Sequence, residues 1–292
     1  MKNKTKTSAE KTAKPKLMNI KFEKLHPFED YPYKVLDDES MTELTESIKE
    51  YGLINRIIVR PLEDKQDEYE IISGHRRVHA TEVLEMKEVS AVVHFINRDQ
   101  ATILMVDSNC QRENLSLMEK ARSYKMKLDA IKHQGKSLGH NVPKSDDNRT
   151  TAKIGAESGD NYKTVQRLIR LTNLVPELQE YVDNGKMKML SAYEISFLNE
   201  EAQSDVIDRI DVTETFPSHA QARRMRATFE EGKLDYDTVT EIMAEVKPNQ
   251  IEKLISSTAT VPPINVFDNS SAVIAFIFPP VKIYCSPEND CR

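Results

Sequence analysis

Three short segments carry side chains whose types and spacing suit chemistry on phosphates, metal ions or bases. In the first, Ile71-Ile72-Ser73-Gly74-His75-Arg76-Arg77-Val78-His79-Ala80, an apolar strand runs into a glycine and then into a helix. A helix start leaves N–H groups unpaired and carries the positive end of the macrodipole, and glycine lets backbone approach closely. Two arginines on that first turn are unfavourable in isolation, and an anion such as a phosphate reverses the balance. The competing reading pairs Arg76 and Arg77 with neighbouring carboxylates or leaves them solvated.

The second segment, Asp107-Ser108-Asn109-Cys110-Gln111-Arg112-Glu113-Asn114-Leu115, clusters Asn109, Gln111 and Arg112 where one helix ends and the next begins. Oxygens of Asp107, Ser108 and Asn109 are of the kind that hard cations prefer. A polar connector that satisfies helix ends has the same composition. The third, TAKIGAESGDNYKTVQRLIR over residues 151–170, has helix-turn-helix spacing. Ile154 and small Gly155 stand on the first helix, Gly159 at the turn, and Val165 and Leu168 inside the second. That second helix then exposes Asn161, Tyr162, Lys163, Thr164, Gln166, Arg167 and Arg170, which suit base edges and phosphates. A helical hairpin with a solvated basic face is the alternative.

The elements that must position these segments follow from periodicity. Ser40-Met41-Thr42-Glu43 reads as a capping box, and Met41, Leu44, Ile48 and Tyr51 form one helical stripe that stops at Gly52. Ile57-Ile58-Val59 and Tyr69-Glu70-Ile71-Ile72 have strand chemistry around a polar turn, and Ala91 to Phe95 is a third strand. Helices are expected from about His75 to Leu84 and from about Asp99 to Asn109, giving a small α+β unit. Ser116 with Glu119 is another capping box, opening a helix that Gly135 should end. From Thr150 to about Lys247 short helical patterns follow one another. The expected organisation is a disordered basic arm over 1–18, an α+β domain over 19–112, a helical domain over 113–232, and a C-terminal region over 233–292 without clear period.

Composition narrows the class. The chain has 292 residues, 30% charged and 39% hydrophobic, with a formal charge of −6. The sign is uninformative because the charge is uneven. Residues 1–18 hold six lysines against one glutamate, and residues 149–170 hold five basic against two acidic side chains, whereas residues 177–247 hold sixteen acids against eight bases. The longest apolar run, Ala272 to Phe278, is too short to span a bilayer, and the Lys-rich start is unlike a secretory signal, so a cytoplasmic protein without a membrane partner is expected. Cys110, Cys285 and Cys291 have no metal-ligand spacing.

Taken together, the segments resemble the ParB/RepB family of DNA partition proteins over about residues 20–230. Leu44 to Arg60 is similar to the family's opening helix and strand, GHRRVHA from Gly74 to its GERRxRA box, and NCQRENLSLME from Asn109 to its ENxQRExLxxxE box, with the helix-turn-helix following in order. The resemblance implies a ParB/sulfiredoxin-like N-terminal domain that binds CTP with magnesium, then a helical domain that reads a palindromic site on double-stranded DNA. It further implies a nucleoid-associated homodimer that closes as a clamp, and a ParA-type ATPase met by the N-terminal arm. On the matching positions, Ser73, Gly74, His75, Arg76 and Arg77 belong to the nucleotide site with Asn109, Gln111 and Arg112, and Asn109 holds the metal. Ser108 stands where the family has the glutamate linked to hydrolysis, so binding rather than turnover is the expectation. Two other readings stay open: a transcriptional regulator without nucleotide control, and a kinase or nuclease on the same fold using Glu70 or Asp107 as base.

Overall fold

The computed structural model describes residues 14–110, 112, 115–137 and 147–245. A five-stranded sheet is built from β1 (Lys16–Lys21), β2 (Leu25–His26), β3 (Ile57–Pro61), β4 (Tyr69–Ser73) and β5 (Glu88–Val93), in the order β1-β5-β3-β4-β2. β1 runs antiparallel to β5 and β3 antiparallel to β4, while the β3/β5 and β2/β4 pairs are parallel. Alternation along the strands fills two cores. Ile57, Val59 and Ile71 point to one face with Val78, and Ile72 points to the other with Ala101 and Met105.

Helix α1 (Glu39–Tyr51) and α2 (His75–Val83) pack against each other through Met41, Ile48 and Ala80, and α3 (Arg98–Asn109) covers the opposite side of the sheet. The mixed α+β N-terminal domain is therefore as expected. Three details differ. The arm expected over 1–18 gives way to strand from Lys16, because Met18 and Ile20 pair with Ala91 and Val89 of β5. For the same reason the third expected strand begins at Glu88 rather than Ala91. The cap of α1 is Asp38, whose carboxylate accepts the Met41 N–H at 2.9 Å, and the Ser40 hydroxyl donates to that carboxylate instead of capping.

The rest is helical: α4 (Leu117–Ser137), α5 (Asp147–Ser158), α6 (Tyr162–Leu171), α7 (Pro176–Asp183), α8 (Met189–Ile195), α9 (Glu200–Thr213), α10 (His219–Glu230) and α11 (Tyr236–Ala244). The Ser116/Glu119 capping box forms as read, with the Glu119 N–H on Ser116 Oγ and the Ser116 N–H on Glu119 Oε2. α4 runs past Gly135 to Ser137. One core joins Met118, Leu128, Ile154, Val165, Leu168 and Leu178 to Val206, Met225, Val239 and Ile242. The helical domain thus continues through α11, beyond the boundary expected at residue 232. The apolar run Ala272 to Phe278 lies outside the described residues, and among those described no helix is long and apolar enough to cross a membrane.

Candidate functional site

Gly74 is the N-cap of α2, with φ +104° and no side-chain cap, so the first N–H groups of the helix stay open. A Cβ there would sit 2.8 Å from Ile57 Cγ2 in the sheet core, which is why the strand-to-helix junction needs glycine. Around this junction lies a cleft of about 370 Å³ lined by Ser40, Leu44, Ser73, Gly74, Arg76, Arg77, Ser108, Asn109 and Arg112. Residues from α1, from β4 and α2, and from the end of α3 converge there. A second hollow, about 530 Å³, shares Ser40, Arg76 and Arg112 with it and extends past Lys34 and Glu119 to Asp183.

The two arginines differ. Arg76 Nη2 lies 3.2 Å from Asp38 Oδ1 and also contacts Ser40 Oγ. The Ser40 hydroxyl, the Met41 N–H and the Arg76 charge hold the Asp38 carboxyl below its ordinary range. Arg77 Nη1 donates to the backbone carbonyls of Asn55 (2.6 Å) and Arg56 (2.7 Å), and among the described residues it has no carboxylate partner. Burial lowers its pKa, yet a guanidinium stays charged. The cleft therefore holds a cation balanced only by two peptide dipoles, next to an open helix start. That arrangement favours an anion.

His75, expected among the ligands, turns away. Its ring stacks on Tyr31 with centroids 3.6 Å apart, and its Nε2 accepts the Phe28 N–H at 3.4 Å. Burial, aided by the Arg112 charge, pushes its pKa down to about 4, so the ring is neutral. It is a core side chain, and a helix phase that aims Arg76 and Arg77 outward leaves position 75 facing in.

Asn109 is buried at the cleft wall, with its Nδ2 donating to Met105 O at 2.8 Å. Its Oδ1 is left as the acceptor that suits a hard cation, and no group of three or more His, Cys, Asp or Glu side chains able to hold a metal occurs among the described residues. Ser108 Oγ donates to Met105 O at 2.9 Å. Arg112 reaches the cleft, and Gln111 lies outside the described residues. Ser40 and Leu44 join the cleft with no ligand signal of their own in the sequence beyond their place on a helix ending shortly before Arg56.

Neither candidate carboxylate base faces the cleft. Glu70 Oε2 pairs with Arg60 Nε at 2.6 Å, and Oε1 takes Arg98 and the Glu29 N–H. Burial alone would raise this carboxyl, but the Glu29 N–H, Arg60 and Arg98 outweigh it and hold it low. Asp107 pairs with Lys127.

The helix-turn-helix forms over α5 and α6. Gly159 takes φ +77° at the turn. Gly155 serves close packing instead, because the Asp160 carbonyl oxygen lies 2.4 Å from where a Cβ would stand, and the Asp160 N–H donates to Gly155 O at 2.9 Å. Asn161 caps α6 through the Lys163 N–H, at 3.0 Å. Val165 and Leu168 are buried, and Asn161, Tyr162 and Lys163 are exposed. Thr164, Gln166, Arg167 and Arg170 are half-covered. Gln166 Nε2 donates to Asn148 Oδ1 at 2.6 Å, Arg167 lies 5.9 Å from the Tyr193 ring centroid, and Arg170 lies 4.2 Å from that of Phe197. Arg170 is thus turned toward Phe197, just past the end of α8, rather than along the outer face.

Residues 6–110 match the model of the ParB N-terminal domain. The chain is 31% identical over 209 residues to the "Probable chromosome-partitioning protein ParB" of Coxiella burnetii, covering 70% of this chain and 65% of that one. It is 30% identical over 163 residues to the "Nucleoid occlusion protein" of Oceanobacillus iheyensis, covering 56% of this chain and 51% of that one. The chain thus spans about half to two thirds of the length of these relatives. Among solved structures it is similar to a C-terminally truncated chromosome-partitioning protein ParB from Caulobacter crescentus complexed with CTP-gamma-S. That likeness has 25% identity and a TM-score of 0.31, and covers 63% of this chain and 93% of that one.

Proposed function

We propose that this chain, whose residues 6–110 match the ParB N-terminal domain and which is similar to ParB-type proteins, is a dimeric partition protein that reads a palindromic site on double-stranded DNA and is switched by CTP. The observation that carries this reading is the convergence of two boxes more than thirty residues apart in sequence, Ser73 to Arg77 and Ser108 to Arg112, on one cleft beside an open helix start. The helix start and the uncompensated Arg77 suit a triphosphate, and Arg76 and Arg112 add two further guanidinium groups to the lining.

Magnesium fits as an ion brought by the nucleotide. Asn109 would offer it one neutral amide oxygen, the remaining ligands being left to phosphate and water. When bound it neutralises phosphate charge. Binding without hydrolysis is what these residues support: Ser108 carries no carboxylate, its hydroxyl is spent on Met105 O, and Asp107 is engaged by Lys127. The same pairings leave Glu70 and Asp107 unable to act as the base of a kinase or nuclease in the cleft.

On the DNA side, Tyr162, Lys163, Thr164, Gln166 and Arg167 form the reading face of α6, with Asn161 as its cap. The names of the relatives, chromosome partitioning and nucleoid occlusion, support action on chromosomal DNA. A ParA-type ATPase remains the proposed partner of the basic N-terminus, by family resemblance.

Titration calorimetry of the full chain with CTP, ATP, GTP and UTP, with and without magnesium, tests the cleft. Tight binding of CTP only with magnesium, abolished by Arg77→Ala, is expected. Indifference to all four nucleotides reduces the protein to a plain operator binder.

A further inference from the structure

Lys127 lies near the middle of α4 with its side chain only 2% exposed, yet it ends in an ammonium. Its Nζ contacts Asp107 Oδ1 on α3 and lies 2.5 Å from Glu157 Oε2 on α5. Burial by itself would lower the pKa of this amine, but the two carboxylates outweigh it, so it remains charged. A buried ammonium is a poor way to gain stability even beside two half-exposed carboxylates, since an apolar side chain of similar size packs as well without desolvation. What it does supply is registry: an ammonium with two anionic partners fixes where both must stand.

The partners are placed at two functional ends. Asp107 directly precedes Ser108 and Asn109 on the cleft wall. Glu157 directly precedes Ser158, Gly159 and Asp160, the turn that sets the start of α6. Two further links run in parallel. Tyr124 on α4 donates through its hydroxyl to Asp160 Oδ2 at 2.6 Å, and Ser158 Oγ lies 3.5 Å from Cys110 Sγ.

We propose that Lys127 is a positioning residue that locks the cleft wall of α3 to the helix-turn-helix turn, so that a shift at either end is transmitted to the other. The lock itself rests only on this geometry; its use as a nucleotide relay rests on the nucleotide reading of the cleft. A ligand that draws on Asn109 moves the end of α3, and Asp107 carries the displacement through Lys127 to Glu157.

Amide hydrogen exchange on the full-length chain tests this in two arms. Without ligand, Glu157→Ala should speed exchange about tenfold across Met105 to Cys110, on a helix to which it does not belong. Asp107→Ala should do the same across Gly159 to Thr164. Lys127→Met should loosen both ends, and Lys127→Arg should restore them. If each acid substitution loosens only its own helix, or Lys127→Met leaves both ends at their wild-type rates, the lock is refuted. In the second arm CTP with magnesium is added. Wild type should slow exchange at Ser73 to Val78 and alter it at Gly159 to Thr164, and Lys127→Met should keep the first response and lose the second. A second response that persists in Lys127→Met overturns the relay. Absence of the first response in wild type refutes the nucleotide reading instead, and the ligand-free arm still decides the lock.

Discussion

Replacing Gly155 by alanine sets two effects of opposite sign against each other. In a helix interior the exchange by itself favours the helix by about 1 kcal/mol. Against it, the new Cβ would stand 2.4 Å from the Asp160 carbonyl oxygen and 3.4 Å from Asp160 C and Tyr162 N. These are backbone atoms of the turn and cannot rotate aside as a side-chain tip would. The turn must lift off α5, an overpacking that costs about 1–3 kcal/mol. The Asp160 N–H bond to Gly155 O, now 2.9 Å, is stretched as well, costing about 1 kcal/mol. The clash wins, with a net loss of roughly 1–3 kcal/mol, or a drop in Tm of about 2–12 °C for a unit of this size. Thermal unfolding followed by circular dichroism at 222 nm measures it. Gly159→Ala is the internal comparison: φ is +77° but nothing lies within 4 Å, so only backbone strain of about 1 kcal/mol applies. A Gly155→Ala chain that melts at or above the wild-type temperature refutes the close approach of turn and helix.

Three further outcomes are expected. The fold favours neutral His75, with a pKa of about 4 against 6.5, so its contribution is complete above pH 6.5 and is lost as pH falls through 4. The gap corresponds to about 3 kcal/mol, and urea midpoints of His75→Gln should vary less than wild type between pH 6.5 and 4. Glu70→Gln strips the buried charge partner from Arg60, leaving it only the exposed Glu63 at 3.3 Å, and should lower stability by about 3 kcal/mol in urea unfolding; a catalytic base would leave stability intact. Lys163→Ala should weaken retention on duplex DNA and reduce the slope of log affinity against log salt by about one, and an unchanged slope excludes a phosphate contact by that side chain.

Local chemistry announced much of the site. A strand ending on Gly74, a capping box at Ser116 and Glu119, and apolar Val165 and Leu168 behind a turn glycine are signals carried within a few residues. Each produced the element it promised, because φ freedom, cap hydrogen bonds and helical periodicity are local properties. β1 was hidden for the opposite reason. Lys16 to Lys21 mixes three apolar with three polar side chains behind a Lys-rich stretch and becomes a strand only through β5, some seventy residues away. The Ser40 capping box was misplaced by two residues because the Asp38 carboxylate accepts the Met41 N–H and so starts the helix earlier.

The order of the boxes, and with it the family resemblance, stood in the amino-acid sequence alone. Which arginine meets an acid and which meets only carbonyls, the inward turn of His75, and the convergence of Ser40 with Asn109 were decided by tertiary packing. So was the engagement of Asp107 and Glu157 by one buried ammonium. Residue type fixes what a group can bind, whereas its partners depend on which distant segments the core brings within about 3 Å, and burial then sets the strength of each charge.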